Sequence, residues 1–452
     1  MSGFNGTGTF VVSGSGLPVT TGTVVSSTVK NQWDTDVAAG LTNCLCKDGQ
    51  STPTADLTMG GFRLKSLAAP SANGDALSQG AAATVSDLVI TGGASGGAIS
   101  GKNRIINGDF RISSYNGSSQ ITPTAFTYPI DRFSFSATQA NKLICGQNLN
   151  GAAAPSACSL VFVSNSAYTA LAADVFAIVQ IIEANNITDF RFGVAAAATI
   201  TLSFWVYSSL TGTFCGSLRN AAGNRSYVFT YNVPVANTYT KIVVTIPGDQ
   251  TGTWNLSGTA FGLGLYFDLG TGSNFETGTP NTWLASDMRR VAGAVRLVAT
   301  NAAVWYVTDI QLELGTAATA FDRRSYGQEQ LLCRRYYQVY GYTGNGGATV
   351  RMAMGYATDS THANLFFPLN PPMRITPTVS FPDTINNIGV YYTGTNSSGP
   401  TALAQDGSNS SPDLAVLGFT MSAGNSPLFT PGYPVVAFAS GAVARVACSA
   451  EL

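Results

Sequence analysis

Few residues in this chain could do acid–base chemistry: one histidine, His362, and 24 carboxylates among 452 residues. A lone histidine excludes metal sites built from several. Its setting, "DSTHAN", reads as a turn, and "GYATDSTH" lacks the glycines of a nucleophile elbow. Glycoside hydrolysis takes two carboxyl groups facing each other across about 5–10 Å, and spacing along the chain singles out no such pair. The seven cysteines are Cys44, Cys46, Cys145, Cys158, Cys215, Cys333 and Cys448. Cys44-Leu45-Cys46 has one intervening residue, too few for the usual zinc or redox spacing. The opening "MSGFNGTGTFVVSGSG" has no basic segment followed by an apolar one, so reduced thiols in a cytoplasmically made protein are expected. No catalytic residue, metal or cofactor is expected, and the chain is not expected to be an enzyme.

Binding chemistry remains. The chain is 45% hydrophobic, only 10% charged, and carries a net charge of −1. That leaves no electrostatic footprint for nucleic acid or an anionic membrane, and no run of 18 apolar residues spans a bilayer. In "TITLSFWVYSS", Trp205 and Tyr207 alternate with Phe204 and Val206, so they face away from the core. Such rings stack on sugars or fill subunit interfaces, and the interface is the preferred reading because Trp and Tyr are enriched there. Tyr391 and Tyr392 lead into "TGTNSSGPTALAQDGSNSSPD", a composition typical of exposed loops. They read equally as a sugar platform or as strand neighbours, one in the core and one at an interface.

The elements that must position these residues change along the chain. Residues 1–24 look extended. Within 25–47, Val29, Trp33, Val37 and Leu41 recur every four residues as one apolar helix stripe, with Gly49 placed to end it. "TMGGFRLKSLAAP" reads as a lone amphipathic strand through Phe62 and Leu64. Stripe and strand, over 25–80, lack partners within the chain, and copies of the chain would supply them. A Gly/Ala/Ser linker fills 81–102. Residues 103–323 alternate with period two and carry the Asn107-Gly108 hairpin signal, which implies a β-sandwich. A helical connector is expected over 324–340. In it Leu331, Leu332, Tyr336 and Val339 share a face, and Arg334 and Arg335 pair with Glu329 or a neighbouring chain. Residues 341–452 form a C-terminal part with eleven aromatics and few charges.

"NRIINGDFRIS", "YPIDRF", "ITLSFWVYSSLTGTF", "IPGDQTGTW" and "DIQLELGTAATAFDRRSYGQEQLLCRRYY" resemble the sandwich domain of tailed-bacteriophage tail fibres. "KDGQSTPTADLTMGGFRLKSLAAPSANGDAL" resembles the N-terminal part of the same fibres. The resemblance implies a mainly β, elongated homotrimeric fibre with a short N-terminal helix, a central jelly-roll-like sandwich and a distal β-rich tip. It implies an N-terminus on the virion tail or an adaptor protein, and a C-terminal part binding a host surface glycan or protein. Such a protein is made in the host cytoplasm and located in the virion. The sandwich also resembles jelly-roll carbohydrate-binding modules, whose ends often hold a structural calcium. Here Arg111 stands where an acid is expected after Phe110, although Asp109, Asp309 and Glu313 are present. Two other functions follow from these resemblances. A tailspike enzyme usually carries a repeated β-helix period, which is absent. A cellular carbohydrate-binding module needs a secretion signal.

One test concerns the helix stripe. Burying each such side chain stabilises association by about 1.5–3 kcal/mol. Trp33→Asp should therefore yield monomers by light scattering or block incorporation into particles. A variant that remains associated and loads normally would exclude the stripe as the contact.

Overall fold

The computed structural model describes residues 3–4, 10–11, 27–42, 102–123, 126–150, 154–342, 350–383, 385–392, 395–398, 400–421, 429–439 and 444–452. They divide into two units, Met1–Ala94 and Ser95–Leu452. The fold is mainly β. In the first unit, helix α1 spans Ser27–Thr42. Trp33 on it is half-buried and Val37 is 44% exposed. The side chains of Val29 and Leu41 lie outside the described residues, as do Phe62 and Leu64 and the whole of the expected lone strand.

The second unit begins with a sandwich of two antiparallel sheets. The five-stranded sheet runs Thr240–Ile246, Ile200–Ser208, Val304–Leu314, Cys158–Ser164, Leu143–Leu149. The seven-stranded sheet runs Trp283–Leu284, Ser226–Val233, Gly212–Arg219, Phe261–Asp268, Phe176–Glu183, Phe133–Ala137, Thr127–Ile130. Their facing sides supply one core, in which Leu202, Phe204, Phe162, Phe267 and Trp305 are all buried. The period-two segments make this possible, because alternate side chains of each strand fall on that inner face.

The Asn107-Gly108 signal marks a turn, but no hairpin. No strand flanks it. Asn107 adopts φ 60°, and its amide closes its own loop, donating to the Ile112 carbonyl at 2.8 Å and accepting the Ile112 N–H at 3.0 Å. Gly108 lies against the closing strand, where a Cβ would meet the Ile310 carbonyl oxygen at 2.3 Å. Only glycine lets the two backbones approach so closely. The two ends of the sandwich, far apart in sequence, thus meet at this point. Their carboxylates engage arginines: Asp109 pairs with Arg111 at 2.5 Å and with Arg323 at 3.4 Å, and Asp309 pairs with Arg323 at 3.3 Å. The guanidinium lies between the carboxylates, where it offsets their mutual repulsion.

Helix α2 covers Tyr326–Arg334, capped by Ser325. It is shorter than the sequence implies. At Tyr337 the chain becomes the strand Tyr337–Tyr342, which pairs with Ala444–Ser449 near the C-terminus. Tyr336 and Val339 therefore do not share a helix face with Leu331 and Leu332. The arginine pairing also differs: Glu329 takes Arg324, while Arg335 bonds Glu183 at 3.0 and 3.1 Å. Strands between Val350 and Ala439 form a second seven-stranded sheet with its own core around Leu365, Phe367, Leu417 and Phe419, while Thr378–Ser380 and Tyr337–Tyr342 flank Ala444–Ser449 in a three-stranded sheet. The five described cysteines are all unpaired and buried.

The last residues return to the sandwich. Arg132, on the turn between Thr127–Ile130 and Phe133–Ala137, pairs with Glu451; their side chains are 2% and 4% exposed. The Arg132 guanidinium also lies 3.4 Å from the ring centre of Tyr336 and donates to the Ile181 carbonyl at 2.7 Å. Arg374 bonds the carbonyls of Ala450, Thr259 and Glu451 at 2.8, 2.9 and 3.1 Å. Tyr128 donates to the carbonyl of Leu452 at 3.1 Å. Removing one member of a buried ion pair leaves the other charge uncompensated, at a cost of about 3–5 kcal/mol. Arg132→Met should lower the urea-unfolding free energy by that order, and Arg132→Met with Glu451→Met should recover most of it. A single-variant loss under about 1 kcal/mol would fit a surface pair instead.

Candidate functional site

The outer face of the five-stranded sheet carries an aromatic groove. Successive side chains of Ile200–Ser208 alternate, so Phe204 and Val206 enter the core while Trp205 and Tyr207 turn outward, half-buried. Val304–Leu314 does the same: Trp305 is fully buried and Tyr306 turns out. Register sets Tyr306 directly opposite Tyr207. Their rings meet edge to face, with centres 5.2 Å apart at 89°. Tyr239, just before Thr240–Ile246, brings a third tyrosine ring to 5.3 Å from Tyr207. Together with Asn148, Asn150, Ala154, Pro155, Asn237 and Thr238 these rings line a groove of about 640 Å³.

The asparagines have different tasks. Asn150 holds the wall: its Oδ1 accepts from Asn148 at 2.9 Å, Ser159 at 2.8 Å and Tyr239 at 3.3 Å, while its Nδ2 donates to the Ser156 carbonyl at 2.9 Å. Asn237 takes the left-handed conformation its turn requires, φ 58°, and its Oδ1 accepts from Tyr207 at 3.2 Å. Among the described residues, Asn148 Oδ1, Asn237 Nδ2, Trp205 Nε1 and the Tyr306 hydroxyl make no bond to protein and remain available to a ligand. No lining residue carries a carboxylate or a cation. Burial pushes the Tyr239 and Tyr306 hydroxyls above the usual tyrosine range, so both stay protonated donors at neutral pH. Flat apolar rings beside neutral donors and acceptors suit a polyhydroxylated, uncharged ligand.

The other expected contact, the pair Tyr391 and Tyr392, is divided by its strand. Tyr391 is exposed. Tyr392 is 4% exposed and packs its ring against Phe429, with centres 5.4 Å apart. Adjacent strand residues must face opposite ways, so Tyr392 is corrected from a contact residue to a core residue. His362 is exposed, and its Nδ1 lies 2.8 Å from Asp359 and 3.1 Å from Thr361 within one turn. Both partners share that one nitrogen, so the ring cannot relay a proton from the threonine to the carboxylate. Among the described residues no group of three or more His, Cys, Asp or Glu is placed to hold a metal ion. Trp205 and Tyr207 were legible in the sequence; Tyr306 could have been found as the outward neighbour of Trp305. Tyr239 and the asparagines gave no periodic signal.

No known protein family and no curated protein matches this sequence. Solved structures align over about half of the chain. The enzymatically active domain of tailspike protein 4 from bacteriophage CBA120 aligns at 13% identity over 47% of this chain and 22% of its own, with a TM-score of 0.27. A Bacteroides thetaiotaomicron protein to which sugar binding has been attributed aligns at 12% over 47% of this chain and all of its own, TM-score 0.27. The xylan-binding domain from Paenibacillus barcinonensis Xyn10C aligns at 13% over 49% of this chain and all of its own, TM-score 0.23. The chain spans less than a quarter of the tailspike domain. At such identities and scores no residue's role transfers.

Asn150 gives a test of the wall. Asn150→Ala removes four bonds and should free Asn148 and Tyr239 while leaving the buried core intact. Near-ultraviolet circular dichroism should lose part of its tyrosine signal with unfolding little changed, about 1–3 kcal/mol at most. An unchanged tyrosine spectrum would show that Asn150 does not hold the rings.

Proposed function

We propose that this chain is an adhesion protein of the tail-fibre type that holds an uncharged glycan of the host surface in the Trp205 groove. The observation that carries the reading is the groove itself: four aromatic rings and free amide and hydroxyl groups converge on one rigid sheet, with no charge among them. The resemblance in the sequence supplies the setting: virion attachment at the N-terminus, assembly as a homotrimer, and weak single sites multiplied by the copies present. It placed receptor binding in residues 341–452; the groove moves the proposal to the sandwich. No bond cleavage is assigned to it, since glycoside hydrolysis needs two carboxyl groups and the lining offers none.

The experiment is a glycan array probed with the full chain and with Trp205→Ala. The chain should retain neutral glycans, and the variant should bind them about tenfold more weakly, which corresponds to about 1.4 kcal/mol. Adsorption of particles carrying the variant should fall in parallel. Undiminished glycan binding by a folded Trp205→Ala variant would remove the groove from the function, and an array with no neutral glycan retained would remove the reading.

A further inference from the structure

One end of the aromatic groove is fixed more tightly than the binding of any hydroxylated ligand requires. Asn150 is the fixed point. Its Nδ2 donates to the Ser156 carbonyl at 2.9 Å, and a carbonyl oxygen can only accept. The amide therefore cannot turn over, and its Oδ1 must face Asn148, Ser159 and Tyr239. Asn148 then has one orientation too. Only its Nδ2 can donate to that oxygen, which it does at 2.9 Å, so its own Oδ1 points away from Asn150. Among the described residues nothing bonds this Oδ1, and Asn148 lines the groove. A hydroxyl or a free amide could offer either role; here the groove presents an acceptor and cannot exchange it for a donor.

The surroundings of that oxygen are apolar. The Tyr239 hydroxyl donates to the same Asn150 Oδ1 at 3.3 Å, so the Tyr239 ring stands beside Asn148. Asn148 lies opposite Ser159, near the end of the hairpin whose connection carries Ala154 and Pro155. Both of these are half-buried and belong to the same lining. The Ser159 hydroxyl proton is already given to Asn150 at 2.8 Å. Among the described residues, then, this end of the groove offers one fixed acceptor flanked by a ring and two apolar side chains, with no charge.

We propose that the groove selects glycans bearing an acetamido group, and that Asn148 is the residue that selects it. The inference rests on the glycan reading of this groove and names the class of sugar it takes. An acetamido substituent carries an N–H that only donates and a methyl that gains by leaving water. The N–H meets Asn148 Oδ1, and the methyl lies against the Tyr239 ring, Ala154 and Pro155. Other ring substituents lack one part of this match. A hydroxyl can donate to the oxygen but leaves the apolar wall uncovered. An O-acetyl ester has the methyl and no proton to give. A protonated amine brings a charge that no lining residue neutralises, and its desolvation is costly. A carboxylate sets negative oxygens against Oδ1.

Matched oligosaccharides test it. Each set is alike except for an acetamido, hydroxyl, O-acetyl or amine group at one ring position, in gluco, galacto and manno series. Calorimetric titration into the full chain gives the affinities. In at least one series the acetamido member should bind about tenfold more tightly than the hydroxyl member, the low end of what one methyl-sized group is worth in an apolar pocket. The O-acetyl and amine members should not share that gain. Asn148→Leu should bring the acetamido-to-hydroxyl ratio to within about twofold of unity, and Ala154→Asp, in the connection, should lower it as well. The wild-type ratio is itself a test should either variant fail to fold. Neutral glycans bound with no acetamido preference in any series overturn this inference and leave the groove reading standing; no neutral glycan bound overturns both. A preference that the O-acetyl member shares, or that survives Asn148→Leu, removes Asn148 as its source and overturns the inference.

Discussion

A guanidinium buried without an acceptor is among the most costly arrangements a fold can contain. The Arg132 guanidinium is buried, and Glu451, next to Leu452, supplies its acceptor. Much of the second unit follows from that requirement. Glu451 must lie against the sandwich, and Ala444–Ser449 brings it there by running back beside Tyr337–Tyr342, the strand that left it. Glu183 and Tyr336 extend the same polar seam, with Arg335 forking onto Glu183. Tyr115 stacks on Tyr337 alongside, ring centres 3.6 Å apart. The C-terminal sheet is thereby bound to the sandwich by charge-assisted hydrogen bonds and ring stacking.

The aromatic groove relies on a different constraint, the alternation of side chains along paired strands. A ring on the outer face has a ring from the core as its sequence neighbour, and the core ring holds the backbone still. Trp305 behind Tyr306 and Phe204 behind Trp205 are such pairs. Groups on strands are held more precisely than groups on loops. Asn237, Thr238 and Tyr239 come from a turn, where hydrogen bonds from Tyr207 and to Asn150 restrain two of them, and Asn150, Ala154 and Pro155 come from between Leu143–Leu149 and Cys158–Ser164.

What could be read from sequence was whatever depends on near neighbours. The strands at Ile200–Ser208 and Val304–Leu314, and the outward direction of Trp205 and Tyr207, follow from period-two patterning alone. Pairings between distant residues leave no such trace. Arg132 and Glu451 are 319 positions apart, and nothing local distinguishes this arginine from one in water. Local patterns also misled where tertiary contact overrode them. The stretch after Tyr326 has helical spacing through Val339, yet the chance to pair with Ala444–Ser449 converts it to strand at Tyr337. Asn107-Gly108 has the composition of a hairpin, yet its glycine serves close approach to Ile310.

The five described cysteines carry one more implication. Burial pushes Cys145 and Cys448 up to about 12 and raises Cys158, Cys215 and Cys333 as well. At neutral pH a thiol with a pKa near 12 is ionised in only about one molecule in 100,000, and the thiolate is the species that attacks disulfides. Each sulfur is also shielded by its neighbours. Burial thus keeps these five thiols protonated and slow to exchange with disulfides at neutral pH. Nothing in this part of the fold asks these sulfurs to pair, because buried ion pairs and sheet registers already hold it.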